Sequence, residues 1–115
     1  MSAIIYKILT REAWRDATAA GVFLGAPVDL ADGYIHFSAA DQVRETAAKH
    51  FAGGSDLVLV AVDATGLGEA LKWEPSRGGA LFPHLYGSLD PDLVVEVVDL
   101  PLGPDGAHRF PETIP

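Results

Sequence analysis

The chain has 115 residues, 49% of them hydrophobic, with 16 acids against 8 bases, a net charge of -8 and no cysteine. That length suits one compact domain spanning residues 1–115, with a core that needs neither disulfide nor metal. The charge argues against general binding to nucleic acid or an anionic membrane, which relies on clustered cations, and the missing thiols exclude disulfides, cysteine nucleophiles and thiolate metal sites.

The opening Met1-Ser2-Ala3-Ile4-Ile5-Tyr6-Lys7 is too short an apolar stretch for a signal peptide. No apolar run approaches the roughly 20 residues that span a bilayer, so the expectation is a soluble, cytoplasmic protein. Residues 3–9 are β-branched and aromatic enough for a first strand, and Thr10 is a good N-cap for a helix over residues 11–20 that Gly21 closes. Through Pro27 and Val28 the reading is irregular, and Asp32-Gly33 favours a tight hairpin turn into a strand over residues 34–37. Ser38 is placed to cap a second helix, with Asp41 in the capping-box position and Ala40, Val43, Ala47 and Phe51 as its apolar stripe.

That helix stops at Gly53-Gly54, and the continuous apolar run over residues 57–62 reads as a strand covered on both faces. A shorter strand over residues 70–73, a glycine and proline loop over 75–79 and an extended run over 81–86 follow. Asp90-Pro91-Asp92 is a turn, residues 93–100 read as another strand of the buried type, and Asp105-Gly106 signals a hairpin to a short strand over 108–110. Six or seven strands with two helices in the N-terminal half predict an α+β domain built on a bent, mostly antiparallel split sheet.

Two histidines stand in apolar and aromatic runs, Tyr34-Ile35-His36-Phe37-Ser38 and Phe82-Pro83-His84-Leu85-Tyr86-Gly87. Side chains two apart on a strand share a face, so Ile35 and Phe37 should enter the core while Tyr34, His36 and Ser38 line the other side. If Ser38 caps a helix, that helix end adds partial positive charge beside His36, suited to phosphate or carboxylate. The same parity groups Phe82, His84 and Tyr86. An imidazole can exchange a proton near neutral pH, and a phenol can donate to a developing negative charge.

Between the two runs lies Trp73-Glu74-Pro75-Ser76-Arg77-Gly78-Gly79. Arg77 carries a planar fork suited to phosphate, beside glycines that let backbone approach a ligand. The plainer alternatives are a simple turn at Gly78-Gly79, a Glu74–Arg77 clamp, and histidines that only satisfy backbone or fill gaps. His36, His84 and Glu74 lack the close spacing of histidine metal motifs, so no metal is expected; His50 and His108 read as structural or solvated. Neither Ser38 nor Ser76 sits in a nucleophile elbow, and no Walker or dinucleotide glycine loop occurs.

With Ile5-Tyr6-Lys7-Ile8, Asp32-Gly33-Tyr34-Ile35-His36-Phe37-Ser38 and the run from Trp73 to Gly87, the chain resembles the bacterial domain of unknown function 952 family over nearly its whole length. That family is similar to the ADP-ribosyltransferase fold, a split antiparallel sheet binding NAD in a central cleft. The resemblance implies that His36 contacts the NAD ribose and that Tyr86 or Trp73 stacks on nicotinamide. The usual later Glu has no clear counterpart: Glu96 lies in an apolar strand and Glu74 comes too early. Relatives lacking that Glu use His and Arg to move a 2'-phosphate onto NAD, a style closer to His36, Arg77 and His84.

The expectation is therefore catalytic His36, His84 and Tyr86, with Tyr34, Ser38, Trp73, Glu74, Ser76 and Arg77 binding a small anionic nucleotide or metabolite, NAD among them as a substrate. The alternatives are a binding module without turnover and a protein-interaction domain presenting exposed aromatics.

Overall fold

The computed structural model describes residues 3–112 and 114, with Arg77 described through its backbone alone. The protein is α+β, with two antiparallel sheets. Strands β1 (Ile4–Thr10), β3 (Ser38–Ala39), β4 (Leu57–Asp63) and β7 (Val94–Asp99) form one in the order β3-β1-β4-β7. The other is β2 (Ile35–His36), β5 (Leu71–Pro75) and β6 (Leu81–Leu85) in the order β2-β6-β5. Helices α1 (Arg11–Ala20), α2 (Pro27–Asp32) and α3 (Val43–His50) all fall in the first half, one more than expected. No helix among the described residues is long and apolar enough to cross a membrane.

β4 is the centre of the larger sheet, and its first six residues are buried, as its continuous apolar run predicts. Val58, Val60 and Val62 face a core shared with Ile5 and Leu9 of β1, Ala17 of α1 and Ile35, Phe37 and Leu85 of the smaller sheet. Leu57, Leu59 and Ala61 face a second core closed by Val43 and Ala47 of α3 with Leu100 and Ile114. Each such fully buried Val or Leu side chain contributes about 1.5–3 kcal/mol.

Phe37 joins the two sheets. Its amide still donates to the Pro83 carbonyl of β6 at 3.0 Å, whereas Ser38 and Ala39 already pair with Tyr6 and Ile5 of β1. One strand thus changes sheet within a residue, held by a phenyl ring that is 2% exposed.

α1 forms as predicted, with the Thr10 hydroxyl accepting from the Ala13 amide at 3.0 Å and Gly21 closing it at φ 77°. Asp32-Gly33 is a helix end rather than a hairpin turn. Pro27 at the first helical position and Asp29, whose carboxylate accepts the Ala26 amide at 2.7 Å, start α2. Gly33, at φ 89°, donates to the Asp29 carbonyl and ends it.

Ser38 does not cap α3. It belongs to β3, buried, with its hydroxyl 2.8 Å from that of Thr46, and α3 starts at Val43 after Gln42. Pairing with β1 outcompetes the cap, so no helix N-terminus lies beside His36 through Ser38. β7 is likewise not buried on both faces: it is an edge strand, and Val95 and Val97 are exposed. The turn at Asp105-Gly106 is present, but the expected final strand reduces to one bridge between Leu102 and His108.

Candidate functional site

The β2–β6 ladder makes His36 and His84 direct cross-strand partners. Opposed residues on antiparallel strands project to the same face, and the two rings stand edge to face with centroids 5.5 Å apart. On the next ladder Lys72 opposes His84 and Glu74 opposes Phe82, which brings the Glu74 side chain to the same face. Trp73 opposes Pro83 and projects to the opposite face, so the structure does not bring it to the histidines.

Each imidazole is aimed by a carboxylate. His84 Nδ1 lies 2.9 Å from Glu74 Oε1, and the Tyr86 hydroxyl donates to that same oxygen at 2.7 Å. His36 Nδ1 lies 2.6 Å from Asp29 Oδ1, and its Nε2 lies 3.0 Å from Asp32 Oδ2, the last residue of α2. A ring protonated on both nitrogens donates to both of these carboxylates. The Tyr34 ring stacks on His84 at 4.2 Å and touches the rings of His36 and Tyr86 at 4.7 and 5.1 Å. Four rings thus form one cluster, and His84 is almost covered by it, at 4% exposure.

Beneath His36 lies a buried ion pair absent from the sequence-based expectations. Lys7 Nζ bonds both oxygens of Asp29, at 3.0 and 2.9 Å. The Asp29 carboxylate also accepts the Ala26 and His36 amides, so it is saturated although 1% exposed. Burial pushes the Asp29 carboxyl up, but the Lys7 ammonium, together with the bonds from Lys7, His36 and Ala26, brings it below the usual carboxylate range. Burial pulls the Lys7 ammonium down against the attraction of Asp29. At the rim, the bond from Tyr86, followed by that from His84, holds the Glu74 carboxyl low. The bond to Glu74, helped by burial, leaves the Tyr86 hydroxyl pushed up to about 12.

Lys7 had a readable signal. It shares strand parity with Ile5 and Leu9, which both enter the core, so its side chain must go there too and needs an acid. Asp29 and Asp32 had none, because a six-residue helix carries too little periodicity to place a carboxylate.

A cleft of about 770 Å³ opens beside this cluster, where the chain passes from one sheet to the other. His36, Ser38, Ser76 and His84 border it, as do Asp32 and Lys7. Ser76 lies in the β5–β6 loop, which its own backbone closes: the Ser76 amide donates to the Ala80 carbonyl at 2.9 Å, with Gly78 and Gly79 at φ 71° and 82°. The Arg77 side chain lies outside the described residues. Among the described residues no group of three or more His, Asp or Glu is arranged to hold a metal ion. His50 is exposed near the cleft, and His108 Nε2 contacts the Gly54 carbonyl at 2.8 Å.

The arrangement thus clusters two imidazoles, three carboxylates, two phenols and one buried ammonium, of which His36, His84, Asp32 and Lys7 border the cleft while Tyr34, Glu74, Tyr86 and Asp29 pack behind them. No curated protein matches the chain. The crystal structure of protein CC0527 from Caulobacter crescentus is 57% identical and superposes with a TM-score of 0.89, covering 92% of this chain and 93% of that one. The solution structure of CC0527 is 58% identical with a TM-score of 0.83, covering 90% of each chain. The model of the family described as protein of unknown function (DUF952) matches residues 8–97, and the chain belongs to that family.

Proposed function

We propose that this protein binds NAD or a related phosphorylated nucleotide in the cleft beside His36 and His84 and acts at the ribose C1′, in the style of the ADP-ribosyltransferase fold. The observation that carries this reading is the cross-strand histidine pair, each ring aimed by its own carboxylate, at the mouth of a cleft of about 770 Å³. Two antiparallel sheets that part where Phe37 passes between them support the split-sheet resemblance.

As nicotinamide leaves, the ribose gains oxocarbenium character, and carboxylates fixed nearby stabilise that charge without having to reorganise. Asp32 borders the cleft, and Glu74 stands behind His84 on its Nδ1 side. His36 meets the ribose through the Asp32 carboxylate that its Nε2 holds, Tyr34 or Tyr86 supplies a ring face to nicotinamide, and Arg77 takes the pyrophosphate, with Ser38 and Ser76 as further hydroxyl contacts. Trp73, on the far face of its strand, has no part in this arrangement.

A second reading, a module that binds a small anionic metabolite without turnover, is favoured by the covering of His84 beneath Tyr34. Nicotinamide release from NAD separates the two. The enzyme reading expects release by the native protein and a loss of about 100-fold or more in His36→Ala. A melting-temperature rise with NAD or ADP-ribose, without release, turns the conclusion to the module. No shift with any nucleotide or with phosphate overturns both, and a mass that then rises with concentration points to an interaction domain.

A further inference from the structure

We infer that Glu74 and His84 form a general-base dyad that takes the proton from a water or hydroxyl acceptor in the cleft, an assignment that rests on the nucleotide reading above and names its acceptor class. The two histidines are not equivalent. Both ring nitrogens of His36 face carboxylates, Asp29 and Asp32, so that ring has no bare nitrogen to offer. His84 is engaged through Nδ1 alone, by Glu74.

A hydrogen bond from Nδ1–H to a carboxylate fixes the tautomer that leaves Nε2 unprotonated. Among the described residues no buried side-chain nitrogen or oxygen lacks a partner, and His84 Nε2 has none. Hence Nε2 belongs to the small part of this ring that reaches solvent, and the residue borders the cleft. A base needs this combination: a ring immobilised by stacking and by its carboxylate, with one acceptor nitrogen at the opening.

The charged and titratable groups facing His84 are Glu74 and Lys72 on β5, Tyr34 and His36 beside it on the β2 side, and Tyr86 just past the end of its own strand. Tyr86 shares the Glu74 oxygen that His84 uses, so it is a positioning residue for that carboxylate. In the step itself the acceptor O–H proton passes to His84 Nε2 and the acceptor oxygen bonds C1′. The C1′–N bond breaks, and its electron pair goes to the departing neutral nicotinamide. With water as acceptor the products are ADP-ribose, nicotinamide and one proton, which the imidazolium returns to solvent.

The test combines ¹H–¹⁵N spectra of the histidine rings with nicotinamide release from NAD, measured across pH in the full-length native protein, in His84→Asn and in Glu74→Gln. The spectra are expected to show neutral His84 protonated on Nδ1 and bare on Nε2; the opposite tautomer overturns the dyad. Release is expected to rise with pH through one ionisation and to fall about 100-fold in His84→Asn. In Glu74→Gln, which keeps the shape of the side chain, Nδ1–H loses its charged acceptor, so both tautomers should be seen in the spectra and release should drop about 10-fold. An unchanged single tautomer with full release in Glu74→Gln, or full release by a folded His84→Asn, overturns the dyad and leaves the nucleotide reading standing. The expected tautomer together with no release by the native protein overturns the NAD reading alone.

Discussion

His36 opposes His84 across the β2–β6 ladder, and the two rings meet edge to face at 5.5 Å. Their carboxylates come from opposite sides, Asp29 and Asp32 from α2 and Glu74 from β5. The site is therefore sensitive to two separate supports, the buried ion pair under α2 and the rim network on β5.

Asp29→Asn is expected to be the most damaging single change near the site. It removes the anion that pairs with Lys7, itself 7% exposed, and breaking a buried pair from one side costs about 3–5 kcal/mol. Lys7→Met should cost less, because Asp29 keeps its bonds from the Ala26 amide and from His36. Urea midpoints of both variants check the order; an equal or larger loss in Lys7→Met contradicts it.

Acid should destabilise the fold in a defined window. Asp29 titrates below its ordinary 3.8 in the folded state, so as pH falls through that value the unfolded chain takes up a proton that the native one refuses. Its contribution is complete above the unfolded value and disappears as pH drops through the lower folded one. Glu74 and Asp105 are lowered too and act in the same direction. Unfolding free energies from about pH 7 down to about pH 2 should lose little to these groups until about pH 5, then fall. Asp29→Asn should flatten that fall.

Tyr34→Leu removes the ring stacked on His84 at 4.2 Å. A stability loss of about 0.5–1.5 kcal/mol is expected beyond the change in buried area. Hydrogen–deuterium exchange at the His84 ring carbon should quicken, since Tyr34 is part of what covers it. Unchanged exchange would mean that the strands alone shield the imidazole.

Gly33→Ala tests the end of α2. No heavy atom beyond its chain neighbours lies within 4 Å of an added Cβ, so the cost is conformational, set by φ 89°. About 1 kcal/mol is expected by denaturation, with Gly33→Asn costing less because asparagine tolerates the left-handed region.

Local pattern carries far in this chain. The unbroken apolar run of β4, the Thr10 cap and Gly21 stop of α1, and the parity that sends Ile35 and Phe37 inward all follow from side-chain chemistry within a few residues. So do the two histidine faces, because a period of two places His36 with Tyr34 and His84 with Tyr86 before any partner is known.

Long-range pairing settled the rest. The choice of Ser38 between capping a helix and joining a strand was made by β1, a partner some thirty residues distant. β7 has the composition of a buried strand, yet its place at the end of the strand order leaves Val95 and Val97 exposed. The carboxylates Asp29 and Asp32 reach His36, and Glu74 reaches His84, because α2 and β5 dock on either side of the β2–β6 ladder. Composition says which groups a chain owns, whereas their distances depend on contacts between residues far apart in sequence, which no local propensity encodes.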